Sequence, residues 1–173
     1  MSVLDRESLL ARCRELRSEG KKLVFTNGCF DILHRGHVDY LVAARSLGDV
    51  LIVAVNSDRS VKELKGPSRP VISQDDRAYL VSSLRGVDLV TIFDEETPID
   101  LIEAIVPDVL VKGGDYDPDA DGGSAYIVGS RAVRAAGGEV VVIPLTPGRS
   151  TTDIVERMDP SRAAAGDSSP GHD

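Results

Sequence analysis

Nothing constrains the fold of this chain more than the way short apolar runs alternate with helical patterns. Five runs stand out: Leu23 to Asn27, Val50 to Asn56, Val87 to Phe93, Asp108 to Gly113 and Glu139 to Leu145. Val50 to Asn56 is apolar at odd and even positions alike, as a parallel strand covered on both faces must be. The stretches between them carry helical signals. Leu4 to Arg17 repeats apolar residues at helical spacing, with Ser2 and Asp5 as a capping box and Gly20 as the stop. A second helix is predicted from Gly36 to Leu47, and a third from Gln74 to Leu84 behind a Ser73–Asp76 capping box. A short one follows Thr97 (N-cap), Pro98 (N1) and Asp100 (N3) and ends before Pro107. Ala125 to Ala136, stopped by Gly137, and Thr152 to Met158, capped by Ser150 or Thr151, complete the set. Ser57 to Pro70, with Gly66, Pro67 and Pro70, reads as a loop, as does the acidic, glycine-rich 115–123 stretch. Strand and helix alternate five times, which predicts an α/β fold: a five-stranded parallel sheet with helices on both faces.

The chain's 173 residues suit one domain, read here as 1–158, followed by an Ala, Ser, Pro, Gly and Asp tail over 159–173 that is expected to be disordered. A net charge of -8 argues against a nucleic-acid binder, though not against a local basic pocket. The apolar runs are too short to span a bilayer, and the charged N-terminus has no signal-peptide core. Cys13 and Cys29 form neither a metal pattern nor a disulfide framework. A cytoplasmic protein with no membrane partner is expected.

The segment richest in chemistry begins at the end of the first run: Thr26-Asn27-Gly28-Cys29-Phe30-Asp31-Ile32-Leu33-His34-Arg35-Gly36-His37. In open α/β sheets ligands bind beyond the carboxyl ends of strands, where helix N-termini offer free N–H groups to phosphate. Gly28 permits a tight turn and Gly36 a close approach to the backbone. His34 and His37, three residues apart, share one face of a helix turn and can donate to one phosphate. They can also be solvent-facing surface histidines, but two of the chain's three histidines placed together at a strand end favour function. A metal pair would need a third ligand, and the remaining histidine, His172, lies in the tail.

The run from Gly28 to His37 resembles the HxGH signature of the cytidylyltransferase-like nucleotidyltransferases. Within that superfamily the chain is most similar to the D-glycero-β-D-manno-heptose 1-phosphate adenylyltransferases, which occur alone or as half of a bifunctional heptose kinase/adenylyltransferase. The resemblance runs from about Lys21 to Met158. It rests on TNGCFD, VNSD (Val55 to Asp58), LKGPSRPV (Leu64 to Val71), LVKGGDY (Leu110 to Tyr116), GGEVVV (Gly137 to Val142) and STTDIV (Ser150 to Val155). It implies the Rossmann-like nucleotidyltransferase fold and a reaction in which ATP and a sugar 1-phosphate give an ADP-sugar and pyrophosphate. The implied path is in-line attack on the α-phosphate, without a covalent intermediate. Mg²⁺ would accompany the triphosphate, held by phosphate oxygens and water. A separate kinase would supply the sugar phosphate, and a homodimer is the usual assembly.

The resemblance also distributes roles. His34, His37 and Lys65 are expected to be catalytic. Nucleotide contacts are expected from Thr26, Asn27, Gly28, Cys29, Phe30, Gly36, Arg85, Lys112, Gly113, Ser150, Thr151 and Thr152. Sugar-phosphate contacts are expected from Asp31, Arg69, Arg77, Asp115 and Tyr116. Several have a plain structural reading as well. Arg77 can be an ion-pair partner, Asp31 can cap the turn, and Arg85 can sit against a helix dipole. Leu145 stands where glycerol-phosphate cytidylyltransferases carry Arg, which counts against glycerol phosphate as acceptor. CTP or GTP, another phospho-alcohol, and a binding module without turnover remain the alternatives. The absence of Walker A, GxGxxG and GxSxG patterns disfavours P-loop hydrolases, dehydrogenases and esterases.

Overall fold

The computed structural model describes residues 3–114, 116–144, 151 and 154. Among the described residues these elements follow one another: β1 Val3–Leu4, α1 Arg6–Ser18, β2 Leu23–Gly28, α2 Arg35–Arg45, β3 Val50–Asn56, α3 Asp58–Lys65, α4 Gln74–Ser82, β4 Leu89–Phe93, α5 Ile99–Ile105, β5 Val109–Gly113, α6 Ser130–Ala135 and β6 Glu139–Ile143. The strands form one parallel sheet in the order β1-β4-β3-β2-β5-β6.

The alternation of side chains builds two cores. Phe25, Ile52, Ala54 and Leu110 pack with α1, α5 and α6 through Leu9, Leu101, Ile102, Ile105 and Val133. Val24, Leu51, Val53, Val55 and Val111 pack with α2 and α4 through Tyr40, Leu41, Ala44, Ala78 and Val81. This is why β3 reads as an unbroken apolar run: both of its faces are buried.

The edge where the strands begin is pinned by aspartates. Asp49, just before β3, accepts from Lys22 N at 2.8 Å. Asp108, before β5, accepts from Leu23 N at 2.7 Å. Asp88, before β4, accepts from Leu51 N at 2.7 Å. Each carboxylate satisfies a backbone donor at the start of a neighbouring strand and fixes its register.

The sequence expectations hold in outline, with four departures. The sheet has six strands, because Val3 and Leu4, expected near the start of the first helix, pair with Val90 and Thr91 of β4. Residues 57–70 are not all loop: Ser57 caps α3 by accepting from Ser60 N, and Arg59 pairs with Glu63 one turn on. Helix α6 begins at Ser130 rather than Ala125, since Gly129 at φ +87° precludes helix before it. The N-cap of α5 is Pro98, not Thr97. The last predicted helix is described only at Thr151 and Ile154, both helical. The tail lies outside the described residues.

Candidate active site

Two crossovers leave β2 with β3 on one side and β5 on the other, so the direction of winding reverses between β2 and β5. Above the carboxyl ends of these strands opens a cleft of about 590 Å³. One wall is the turn after β2, running into α2. The other comes from Glu96, Thr97 and Pro98 before α5, with Tyr126 and Val128. The floor is Asn27, Asn56, Lys112 and Gly113 at the strand ends.

His34 is the N-cap of α2 and His37 sits one turn in, at N3. Their rings lie 4.0 Å apart, centroid to centroid, and Phe30 flanks His37 at 5.5 Å. The His34 backbone N–H donates to His37 Nδ1 at 3.4 Å. An accepting Nδ1 leaves the proton of the neutral ring on Nε2, which is therefore a donor. Burial, with repulsion of the protonated ring by His34 and Lys65 added, lowers the His37 pKa to about 4. His37 is thus neutral near pH 7, and Lys65 is close enough to bear on it. Lys65 itself ends α3 and lines the same cleft.

Lys112 is the second cation. Its stem is half-buried, its Nζ donates to Asn27 O at 3.4 Å, and Tyr116 lies 5.7 Å away. Desolvation lowers its pKa to about 8, against a small opposing effect from Cys29. Near it, Asn27 Oδ1 is buried without a hydrogen-bond partner among the described residues. Among the described residues this half-buried ammonium meets no carboxylate, which makes it a place prepared for an anion.

The turn carrying the histidines is held from below. Phe30 takes φ +48°, which costs a bulky residue on the order of 1–3 kcal/mol and persists only where its surroundings impose it. Arg77, fully buried, is what imposes it. Its guanidinium donates to Cys29 O, to Ile72 O at 3.0 Å, to Asn56 O at 2.7 Å and to Asp58 Oδ1 at 2.9 Å. Asp31, also buried, accepts from Val71 N at 2.7 Å, Ile72 N at 3.0 Å and the Arg69 guanidinium. Burial works against its ionisation, but the two amides and Arg69 outweigh it and hold the carboxyl below its ordinary range.

Sequence reasoning and structure therefore part at several residues. Asn27, Gly28, Cys29, Phe30, Asp31, His37, Lys65, Lys112, Gly113, Tyr116 and Thr151 line the cleft, and His34 stacks on His37. Thr26 does not: it is buried, and its hydroxyl bonds Tyr40 Oη at 2.6 Å while Tyr40 donates to Val111 O. Arg77 has its donors committed to the protein and is a strut, not a substrate contact. Asp31 and Arg69 form an ion pair that fastens the 66–72 loop, while Arg69 Nη2 makes no hydrogen bond among the described residues. Arg85 is exposed beyond the end of α4, where the chain turns into the start of β4, the edge opposite the cleft. Gly36 is buried in the first turn of α2 without lining the cleft. Asp115, Ser150 and Thr152 lie outside the described residues. Sequence reasoning missed Tyr40, Asn56, Glu96, Tyr126 and Val128, and read Thr97 and Pro98 only as helix signals. The rule that loops following parallel strands line the site would have found the residues after β4.

Among the described residues no three His, Cys, Asp or Glu side chains come together as a metal site. Among the described residues, too, no helix is long and apolar enough to cross a membrane.

The family profile described as Cytidylyltransferase-like matches residues 25–157. Among curated proteins, the Bifunctional protein HldE of Methylobacillus flagellatus is 53% identical over 90% of this chain and 31% of its own length. That of Syntrophotalea carbinolica is 52% identical over 88% and 30%. The chain thus spans about a third of the curated relatives it matches. Among solved structures, a lipopolysaccharide core biosynthesis protein from Thermoplasma volcanium superposes with TM-score 0.56 at 28% identity, over 73% of this chain and 98% of that one. A pantoate-beta-alanine ligase from Francisella tularensis, solved with an ATP analogue and beta-alanine, shares the fold at TM-score 0.55 and 15% identity, over 88% of this chain and 69% of that one.

Proposed function

Since the chain belongs to the cytidylyltransferase-like family, we propose that it transfers AMP from MgATP to D-glycero-β-D-manno-heptose 1-phosphate, giving ADP-heptose and pyrophosphate. The observation that carries the reading is the neutral His37, with Nε2–H as donor, stacked on His34 at the N-terminus of α2 and facing a cleft that also receives Lys65 and Lys112. A phosphate oxygen of the sugar phosphate attacks the α-phosphorus. The new P–O bond forms as the bond to the bridging α,β-oxygen breaks, and pyrophosphate leaves with that electron pair. The protein's part is to align the two substrates and to neutralise charge as it grows.

The residues divide this work. The imidazoles of His34 and His37 donate to the α-phosphate oxygens. Lys65 and Lys112 neutralise charge on the phosphates, and Gly28 and Gly113 let the backbone approach the nucleotide. Tyr116 offers its ring to the base, and Ser150, Thr151 and Thr152 meet the terminal phosphates with their hydroxyls. Mg²⁺, entering as part of MgATP, offsets the triphosphate charge. The choice of a heptose phosphate and of adenine rests on the KGPSRP and KGGDY motifs and on relatives called bifunctional, of which this chain matches one part.

The apolar side chains of Val38, Val42, Tyr79 and Leu80, exposed on α2 and α4, supply a surface for a second copy. The proposed homodimer is checked by light scattering on the purified chain, and the reaction is assigned to the cytoplasm. The decisive assay is pyrophosphate release with Mg²⁺, pairing ATP, CTP and GTP with heptose 1-phosphate, glycerol 3-phosphate and hexose 1-phosphates. Release with ATP and heptose 1-phosphate alone supports the reading. Release with another pair replaces the substrate, and none with any pair removes the activity.

A further inference from the structure

One feature of the cleft is out of character with phosphate binding. Glu96 lines it, yet its side chain is exposed and makes no hydrogen bond or ion pair among the described residues. MgATP and a sugar phosphate are both anionic, so a carboxylate facing either phosphate would repel it. An ionised carboxylate only accepts hydrogen bonds. Glu96 therefore suits a neutral partner rich in donors.

Its position in the fold says which substrate that is. The histidines belong to α2, on the sheet face packed by Tyr40, Leu41 and Ala44. Glu96 precedes α5, whose Leu101, Ile102 and Ile105 pack the other face, so it stands on the wall across from them. The winding reverses between β2 and β5, where glycine backbone, Lys112 and Tyr116 offer a phosphate and ring platform. Glu96 follows β4, three strands from β5 in the sheet order. A nucleotide seated over β2 and β5 leaves the Glu96 wall to the acceptor, whose donors are its hydroxyls. Thr97 and Tyr126 line the same wall and add two hydroxyls that can donate or accept.

We infer that Glu96 determines acceptor specificity, its carboxylate taking hydrogen bonds from hydroxyls of the sugar while the sugar's phosphate points to the histidines. This rests on the nucleotidyltransferase reading above and adds to it the side chain that selects a polyol. The carboxylate is not asked to move a proton. Its effect is on acceptor binding, and its loss appears in KM for the sugar phosphate rather than in kcat.

The test is steady-state pyrophosphate release by wild type, Glu96→Gln and Glu96→Ala, varying heptose 1-phosphate at saturating MgATP and then the reverse. Ethyl phosphate, which has no hydroxyl, serves as the control acceptor. Thermal midpoints check folding, which an exposed side chain should not disturb. Glu96→Ala is expected to raise KM for heptose 1-phosphate on the order of 10- to 100-fold, the scale of hydrogen bonds to a charged group. Glu96→Gln, keeping one acceptor oxygen, should fall between. KM for MgATP, kcat, and the slow rate with ethyl phosphate should be unchanged. An unchanged KM for the sugar phosphate, or a raised KM for MgATP, overturns the inference while leaving the reaction standing. Wild type inactive with every sugar 1-phosphate overturns both.

Discussion

Replacing Arg77 by Met separates a strut from a substrate contact. The guanidinium serves three backbone carbonyls, of Cys29, Asn56 and Ile72, and the Asp58 carboxylate. Asp58 is about one-third exposed and can return to water once its partner is gone. The carbonyls are less free to do so, and each orphaned acceptor costs about 1–3 kcal/mol. Water entering the space and local relaxation recover part of this. About 4 kcal/mol is the expected net loss, within the range for breaking a buried pair. For a domain of this size each kcal/mol moves the midpoint by about 2–4 °C, so thermal unfolding followed by circular dichroism should show a fall of about 8–16 °C. Arg77→Lys keeps the charge but not the fork of donors, so it should lie between the two. Both variants should lose turnover, because the left-handed Phe30 and the histidine turn are no longer held. If Arg77 instead touched the sugar phosphate, Arg77→Lys would keep the wild-type midpoint and raise KM for that substrate. A midpoint within about 3 °C of wild type in Arg77→Met would refute the strut.

Four further outcomes are expected. His37 should titrate near 4 in ring-resolved NMR of the free protein. Because that is below its ordinary value, the unfolded chain binds the extra proton first, so stability falls as pH drops from about 6.5 towards 4; a midpoint at or above 6.5 would contradict the burial argument. His34→Ala and His37→Ala should each lose on the order of 100- to 1000-fold in turnover, and wild-type turnover in either would end its proposed role. Lys112→Met keeps the packed stem and removes the ammonium; calorimetry at pH 7 should show MgATP binding weakened on the order of 10-fold, and unchanged affinity would exclude the phosphate contact. Thr26→Val should cost about 1 kcal/mol of stability through the lost Tyr40 bond and leave KM for MgATP alone, whereas a raised KM would return Thr26 to the nucleotide.

Which parts of this molecule could be read in advance follows from where their information lies. Buried parallel strands announce themselves because both faces must be apolar, so β2 to β6 were legible. β1 was not, since two residues carry no pattern and only pairing with β4 makes them a strand. α3 was hidden by Gly66, Pro67 and Pro70, although Ser57 and the Arg59–Glu63 pair marked it. In the cleft, His34, His37, Lys112 and Gly113 were legible because they follow strand ends in contiguous motifs. Arg77, Asp31 and Thr26 sit in or near the same motifs, yet a polar side chain there can face a ligand or the protein. The carbonyls, amides and hydroxyl that decide it come from residues up to 48 positions away.

The aspartate stitches at Asp49, Asp88 and Asp108 bear on how such a molecule can be altered. They set strand register at one edge of the sheet. The loops at the other edge, around 94–98 and 116–128, are thereby relieved of that duty. Segments that select an acceptor can be exchanged between relatives as cassettes, graft by graft, on a frame whose alignment is decided elsewhere.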